Sequence, residues 1–230
     1  MIWLSQLLHV VQFVVWAGTY VLIIIESERD KTYGVPFLAI CANLSWEIIF
    51  SIAFLKPSDR LGVAVWALLD LVIFSQYLRF WRTDYPKNLS PRMFVPMVFV
   101  SAFFTFAIIL SSMFYLPDED PSHLYKGTII AYSTNFMMSV LFVSMFWRRQ
   151  NLAGQSFYIA LLKLLGTQMD FASDSLLHLV PWVVNWLCLG SFVFDGLYAV
   201  LVYQRYSSLG GNPWADLLKR KAVLAHASGG

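Results

Sequence analysis

Two carboxylates stand inside stretches apolar enough to lie in lipid: Glu47 in CANLSWEIIF, residues 41–50, and Asp195 in SFVFDGLYAV, residues 191–200. An ionisable group at the bilayer centre costs several kcal/mol and is usually retained for a pathway, a relay or chemistry. Spacing of three or four residues puts side chains on one helix face. Asn43, Glu47 and Ser51 therefore share a polar stripe, as do Ser191, Asp195 and Tyr198. A carboxyl group kept from water favours its neutral form, and a proton held ready in an apolar chamber is a general acid. The bland alternative is two protonated acids hydrogen-bonded to neighbouring helices, holding a bundle together and doing no chemistry.

Other polar residues fall at similar depth. Asp70 lies between Trp66 and Tyr77, and Asn135 is followed by Ser139. Lys163, Thr167, Asp170 and Asp174 form a further stripe, in which Lys163 can neutralise a carboxylate. A structural ion pair explains Lys163 and Asp170 as well as function does, and His178 reads as interfacial. Phe, Trp and Tyr make up 17% of the chain. An aromatic face attracts a cation by roughly 0.5 to 2 kcal/mol, more when water is excluded, so an acid with aromatic walls suits carbocation chemistry. Interfacial belts also enrich Trp and Tyr, which makes aromatic content alone a weak signal.

The elements that must hold these groups follow from composition. The 230 residues are 58% hydrophobic and only 13% charged, against roughly 25% charged in soluble domains, which makes this an integral membrane protein. A net charge of +2 without basic blocks excludes a nucleic-acid partner. Taking about 20 apolar residues per span, the chain divides into seven helices, at 2–25, 35–55, 61–79, 93–116, 127–147, 155–179 and 182–203. The expected fold is all-α, a bundle of seven transmembrane helices forming one domain over residues 1–206. The first apolar run reads as a retained span and not as a cleaved signal.

Lys and Arg in the short loops set the orientation. Lys56, Arg60 and Lys126 lie on one side, and twelve basic residues, among them Arg29, Arg79, Arg148 and Arg205, lie on the other. The N-terminus is therefore expected outside or lumenal and the C-terminus in the cytoplasm, in the endoplasmic reticulum or a bacterial plasma membrane. The tail, 207–230, contains WADLLKRKAVL, whose spacing suits a short amphipathic helix on the anionic leaflet or a frayed one in solvent. Cys41 and Cys188 lie in apolar runs without a CxxC or Cys/His cluster and read as packed thiols.

The stretches RDKTYGVPFLAICANLSWEIIF, residues 29–50, and SFVFDGLYAVLVYQRY, residues 191–206, resemble the paspaline- and pyripyropene-type integral-membrane terpene cyclases. The signatures are a basic-Thr-Tyr-Gly run leading to Asn-x-x-Trp-Glu, and Asp-Gly-x-Tyr in the last span. The resemblance implies a seven-helix enzyme that cyclises an epoxidised farnesyl or geranylgeranyl chain attached to an aromatic, indole or polyketide group. It implies no metal, cofactor or diphosphate chemistry. The two acids essential in the family correspond to Glu47 and Asp195; Asn43 and Trp46 match the first motif, Gly196 and Tyr198 the second. Asp70, Lys163, Asp170 and Asp174 depart from the pattern, and no role carries over to them.

The expected mechanism has Glu47 or Asp195 donating a proton to the terminal epoxide while the other acid positions it, with Glu47 the favoured donor. Asn43, Trp46, Trp66, Asp70, Tyr77, Asn135 and Tyr198 form the expected substrate-binding and cation-stabilising wall. The partners are then a lipophilic substrate and membrane lipids. Two other readings stay open. Asp170 and Asp174 fit the DxxxD spacing with which intramembrane prenyltransferases hold magnesium diphosphate, although a companion motif is missing. A proton-coupled carrier or a seven-helix receptor would use Glu47 and Asp195 as a relay or a cation site. The acidic run Asp118, Glu119 and Asp120 reads as a solvated turn.

Overall fold

The computed structural model describes residues 2–55, 57–83, 90–115, 124–149, 151–176, 180–215 and 217. Among them the chain forms seven helices: α1 (Ile2–Asp30), α2 (Phe37–Ile52), α3 (Pro57–Phe80), α4 (Pro91–Tyr115), α5 (Leu124–Arg149), α6 (Phe157–Leu176) and α7 (Trp182–Ser208). A 3-10 turn, Trp81–Thr83, follows α3, and no strand occurs among the described residues. Prolines mark the starts: Pro57 and Pro91 open α3 and α4, while Pro36 and Pro181 precede α2 and α7. Proline has no N–H to lose at a first helical turn, so it directs a start where it would break an interior.

Helix packing gives a closed ring. α1 packs on α6, α6 on α7, α7 on α5, α5 on α2, α2 on α3, and α3 returns to α1. α4 stands outside, against α2 and α5. Its Phe99, Phe103, Phe104 and Ile108 are exposed, as are Leu4, Leu7 and Val14 of α1 and Trp186, Leu189 and Phe192 of α7. An apolar belt of this extent belongs in lipid and not in water.

Five helices are long and apolar enough to cross a membrane: α1, α3, α4, α5 and α7. The other two of the seven expected spans differ for physical reasons. α2 has 16 residues, about 24 Å of helix against a hydrocarbon core of about 30 Å. α6 has 20 residues but carries Lys163, Asp170 and Asp174. Polar residues that suggest chemistry lower the hydropathy of the helix that bears them.

One end of the ring is shut. Tyr33, Phe37 and Tyr77 pack with centroids 4.7 and 5.0 Å apart, and Trp81 stacks on Phe94 at 3.9 Å. Around them Arg148 donates to the Tyr33 hydroxyl at 3.0 Å, and the Arg149 guanidinium lies 4.2 Å over the Tyr33 ring. Arg29 pairs with Glu26, and Arg79 with Glu28 at 3.2 Å. The α5–α6 connection is pinned to the end of α1 where Gly154 N–H donates to Asp30 Oδ2 at 2.8 Å. Gly154 has φ +68°, and a Cβ there would stand 2.9 Å from the Tyr33 carbonyl oxygen.

Beyond α7 the chain turns back, and the Tyr158 hydroxyl donates to the Trp214 carbonyl at 2.6 Å. Trp214 and Ala215 lie in a turn and Leu217 in a bend; the other residues of the expected tail helix, His178 and the 118–120 acidic run lie outside the described residues. A left-handed backbone costs a non-glycine residue of order 1–3 kcal/mol. Gly154→Ala is therefore expected to lose at least that much stability, read as a lower midpoint of thermal unfolding in detergent beside a Gly211→Ala control.

Candidate active site

Four side chains from three helices meet near the middle of the ring. The Asn43 amide nitrogen donates to Asp70 Oδ2 at 2.7 Å and to the Tyr20 oxygen at 2.6 Å, and lies 3.1 Å from Glu47 Oε1. Tyr20 in turn donates its hydroxyl proton to Glu47 Oε1 at 2.9 Å. The i, i+4 spacing of Asn43 and Glu47 places both on the inner face of α2, and Asp70 arrives from α3. Glu47 and Asp70 are each 1% exposed. Glu47 Oε2 has no hydrogen-bond partner in the protein.

Asp195 belongs to a neighbouring cluster. Its Oδ1 accepts from Lys163 Nζ at 2.6 Å, with the two side chains 0% and 1% exposed. The same ammonium donates to Ser139 Oγ at 2.8 Å and stands 5.7 Å over the Phe142 ring. Between the clusters lies a void of about 10 Å³ lined by Tyr20, Asn43 and Asp70 on one side and by Lys163 and Phe142 on the other. Glu47 and Asp195 thus stand in two adjoining clusters. α6 stands between α1 and α7 in the ring, and its Lys163 takes the Asp195 carboxylate. Lys163 pairs with Asp195 and not with Asp170.

Glu47 faces a chamber of about 80 Å³ with Gln12, Trp16, Tyr20, Asn43, Trp46, Trp66, Tyr132, Asn135, Thr167 and Asp170 in its wall. It continues into an outer cavity of about 350 Å³ bounded by His9, Phe13, Phe50, Asp59, Val63 and Asp174. Gln12, Trp46, Trp66, Ala131, Tyr132 and Asp170 line both. Trp46 stacks on Phe50 at 4.5 Å and Trp66 on Phe13 at 5.2 Å, which fixes both indoles. Their N–H groups are buried without an acceptor, as is Asn135 Oδ1 without a donor, while Asn135 Nδ2 donates to Thr167 at 2.8 Å. Buried polar groups are rarely left unpaired, so a chamber edged by orphaned donors and acceptors fits a ligand carrying oxygen.

Of the expected wall, Asn43, Trp46, Trp66 and Asn135 line this chamber, and Asp70 stands behind Asn43. Tyr77 lies in the aromatic cluster that shuts the far end. Tyr198 is fully buried against Phe142, its hydroxyl without a protein partner. Among the described residues α7 contributes nothing to either cavity lining. The reading of the sequence missed α1. Gln12, Trp16 and Tyr20 recur every fourth residue and form a stripe of the same kind as that of α2. Trp16 is seated by Gly166, where a Cβ would come within 2.9 Å of the indole nitrogen.

The description "Pyr4-like transmembrane terpene cyclases" matches residues 1–206. The chain belongs to this family. Relatives of this Pyr4-like chain include terpene cyclase andB of Emericella variicolor, 25% identical over stretches covering 90% of this chain and 89% of andB. The Pyr4-family terpene cyclase mfmH of Annulohypoxylon moriforme is 23% identical over 66% of this chain and 62% of mfmH. Terpene cyclase pyr4 of Aspergillus fumigatus is 26% identical over 40% of this chain and 39% of pyr4, so these last two matches span less than two thirds of the relatives' length.

Within this Pyr4-like bundle the Lys163–Asp195 pair has a measurable signature. Removing one member of a buried ion pair costs about 3–5 kcal/mol because the other charge is left unpaired. Lys163→Met is expected to lose that much, and Lys163→Met with Asp195→Leu to regain most of it, as read by thermal unfolding in detergent.

Proposed function

We propose that this protein is a membrane-bound terpene cyclase of seven spans, N-terminus outside or lumenal, that cyclises an epoxidised farnesyl or geranylgeranyl chain. The chain is borne by an aromatic, indole or polyketide group, and the reaction begins with protonation of the terminal epoxide. The observation that carries this reading is Glu47, whose unpartnered Oε2 belongs to a chamber with three tryptophans and two tyrosines in its wall.

Glu47 is the donor in this mechanism. Its Oε1 and Asp70 Oδ2 both lie within 3.1 Å of one amide nitrogen, and two carboxylates so close do not both ionise. Tyr20 donates to Oε1, and Oε2, which has no hydrogen-bond partner in the protein, carries the proton toward the epoxide oxygen in this mechanism. Asp195 is ion-paired to Lys163 and lines neither cavity, so it is not the donor in this mechanism. Its service is to hold Lys163, which would otherwise turn across the small void to Asp70 and lower the negative charge beside the developing cation. Once the C–O bond opens, internal alkenes attack in sequence. The walls hold the chain folded, so orientation supplies much of the rate. Trp16, Trp46 and Trp66 stabilise the cation through their π faces.

The carrier reading needs a midplane site that opens to both sides. Among the described residues one end of this ring leads to the 350 Å³ cavity, and the other holds the Tyr33, Tyr77 and Trp81 aromatic cluster. Family membership likewise supports cyclisation over prenyl transfer.

Membranes carrying the protein, incubated in EDTA with epoxyfarnesyl and epoxygeranylgeranyl aromatic substrates, are expected to yield a product of unchanged mass. Glu47→Gln is expected to slow it by about 10²-fold or more, the ordinary contribution of a general acid. Asp195→Asn is expected to lose activity that a second change, Lys163→Met, partly restores. Conversion that survives in Glu47→Gln would overturn the assignment, and so would conversion that ceases in EDTA.

A further inference from the structure

The mechanism above begins with a proton and leaves its end unassigned. On the reading that the chamber cyclises a prenyl epoxide, we propose that Asp170, with Tyr132 and Asp174 beside it, is the base that removes the terminating proton, so that the cascade ends in an alkene.

Position carries the proposal. Asp170 and Glu47 line the same 80 Å³ chamber from different helices, α6 and α2. Asp170 also lines the 350 Å³ outer cavity, and Asp174, one turn along α6, lines the outer cavity alone. A chain with its epoxide at Glu47 moves its cation away from that tip with each ring it closes. The last cation therefore forms toward the wider cavity, where Asp170 stands. The chamber is marked as a ligand site independently of these acids. Glu47, 1% exposed, presents an unpartnered Oε2, and the indole N–H groups of Trp46 and Trp66 lack acceptors.

Tyr132 suits the pair to its task. The residue is 3% exposed, and its hydroxyl lies 3.4 Å from Asp174 Oδ2 and interacts with Asp170 as well. One O–H serves one carboxyl at a time, so when Asp174 holds it Asp170 keeps a lone pair for the substrate proton. The ledger closes without any co-reactant. The Glu47 proton goes to the epoxide oxygen, which becomes a hydroxyl as its C–O bond breaks; carbon–carbon bonds form. The final C–H bond then breaks, its electron pair becoming the alkene and its proton passing to Asp170. Substrate and product have the same mass. Glu47 is left ionised and Asp170 protonated, and water entering the polar chamber after product departs returns the proton.

The test is product partition, with the same epoxyprenyl aromatic probes followed by mass spectrometry. Asp170→Asn is expected to consume probe within about tenfold of the wild-type rate while the ratio of alkene to water-captured product falls by at least about tenfold. Asp170→Ser, smaller and uncharged, gives the same shift should the Asn variant not fold. An unchanged ratio in a folded variant overturns the proposal. If wild type consumes no probe, the reading of function fails, and binding decides this inference separately. A tertiary-amine mimic of the cyclised cation is compared with its neutral carbon isostere on the purified protein. An advantage for the amine that drops at least about tenfold in Asp170→Asn upholds the base, and an advantage that stays overturns it.

Discussion

A charge enters a lipid-embedded bundle only with a partner, and that constraint sorts the polar atoms of this protein into two kinds. Lys163 is held by Asp195 and Ser139, Asp70 by Asn43, and Asp174 by Tyr132. These contacts are made within the protein, although Asp195 Oδ2 has no partner there. Glu47 Oε2, Asn135 Oδ1 and the indole nitrogens of Trp46 and Trp66 have none either, and all four residues line one chamber. Other unpartnered buried atoms, Asp195 Oδ2 and the Tyr198 hydroxyl among them, lie away from that chamber; what sets it apart is that four such residues edge one space in which a substrate would lie. Glu47 and Asp195 are both buried acids with one oxygen unpartnered, and they differ in their neighbours: an ammonium pairs with Asp195, while Glu47 lines the chamber.

The ring of helices explains why the leftover groups face a space at all. Six helices closing on themselves leave an interior that side chains must fill or surround. At one end Tyr33, Phe37 and Tyr77 fill it, with Trp81 stacked beside them on Phe94 of the outlying α4. Toward the other the wall retreats, and Gly62 and Gly127 lie where Phe13 and Phe50 lean in, with a Cβ at Gly127 only 2.8 Å from the Phe50 ring. These phenylalanines carry Trp66 and Trp46 on their faces. Small residues in α3 and α5 therefore set where the indoles stand, a common use of glycine where helices meet in membranes.

How much of this was legible in the sequence depends on whether the relation lies within one helix. Asn43 and Glu47 are four apart, so their shared face was readable, as was that of Asp170 and Asp174. The Lys163–Asp195 pair joins residues 32 apart on different helices, and nothing in the stripe of α6 distinguishes Asp195 from Asp170 as the partner. Tyr77 shares a helix with Asp70 and Trp66 but sits two turns below Asp70, where the interior is already closed. Span counting had a similar limit. α2 is apolar but only 16 residues long, and α6 carries Lys163, Asp170 and Asp174, so neither reads as a span chosen for lipid alone.

An acid is needed where a carbocation begins and a base where it ends, yet a carboxylate between those points would be a hazard. Its lone pair can bond the cation and stop the cascade as an ester. An aromatic face attracts the same charge and offers no such lone pair. On the mechanism proposed above the arrangement along the chamber suits that logic: Glu47 at the inner end, Asp170 at the junction with the outer cavity, and Trp16, Trp46 and Trp66 in the wall they share. Asp70 is close enough to favour the cation electrostatically, but Asn43 occupies its Oδ2. Pairing in the dry interior thus serves selectivity as much as stability, since an acid already hydrogen-bonded to its neighbours is less free to capture what it helps to form.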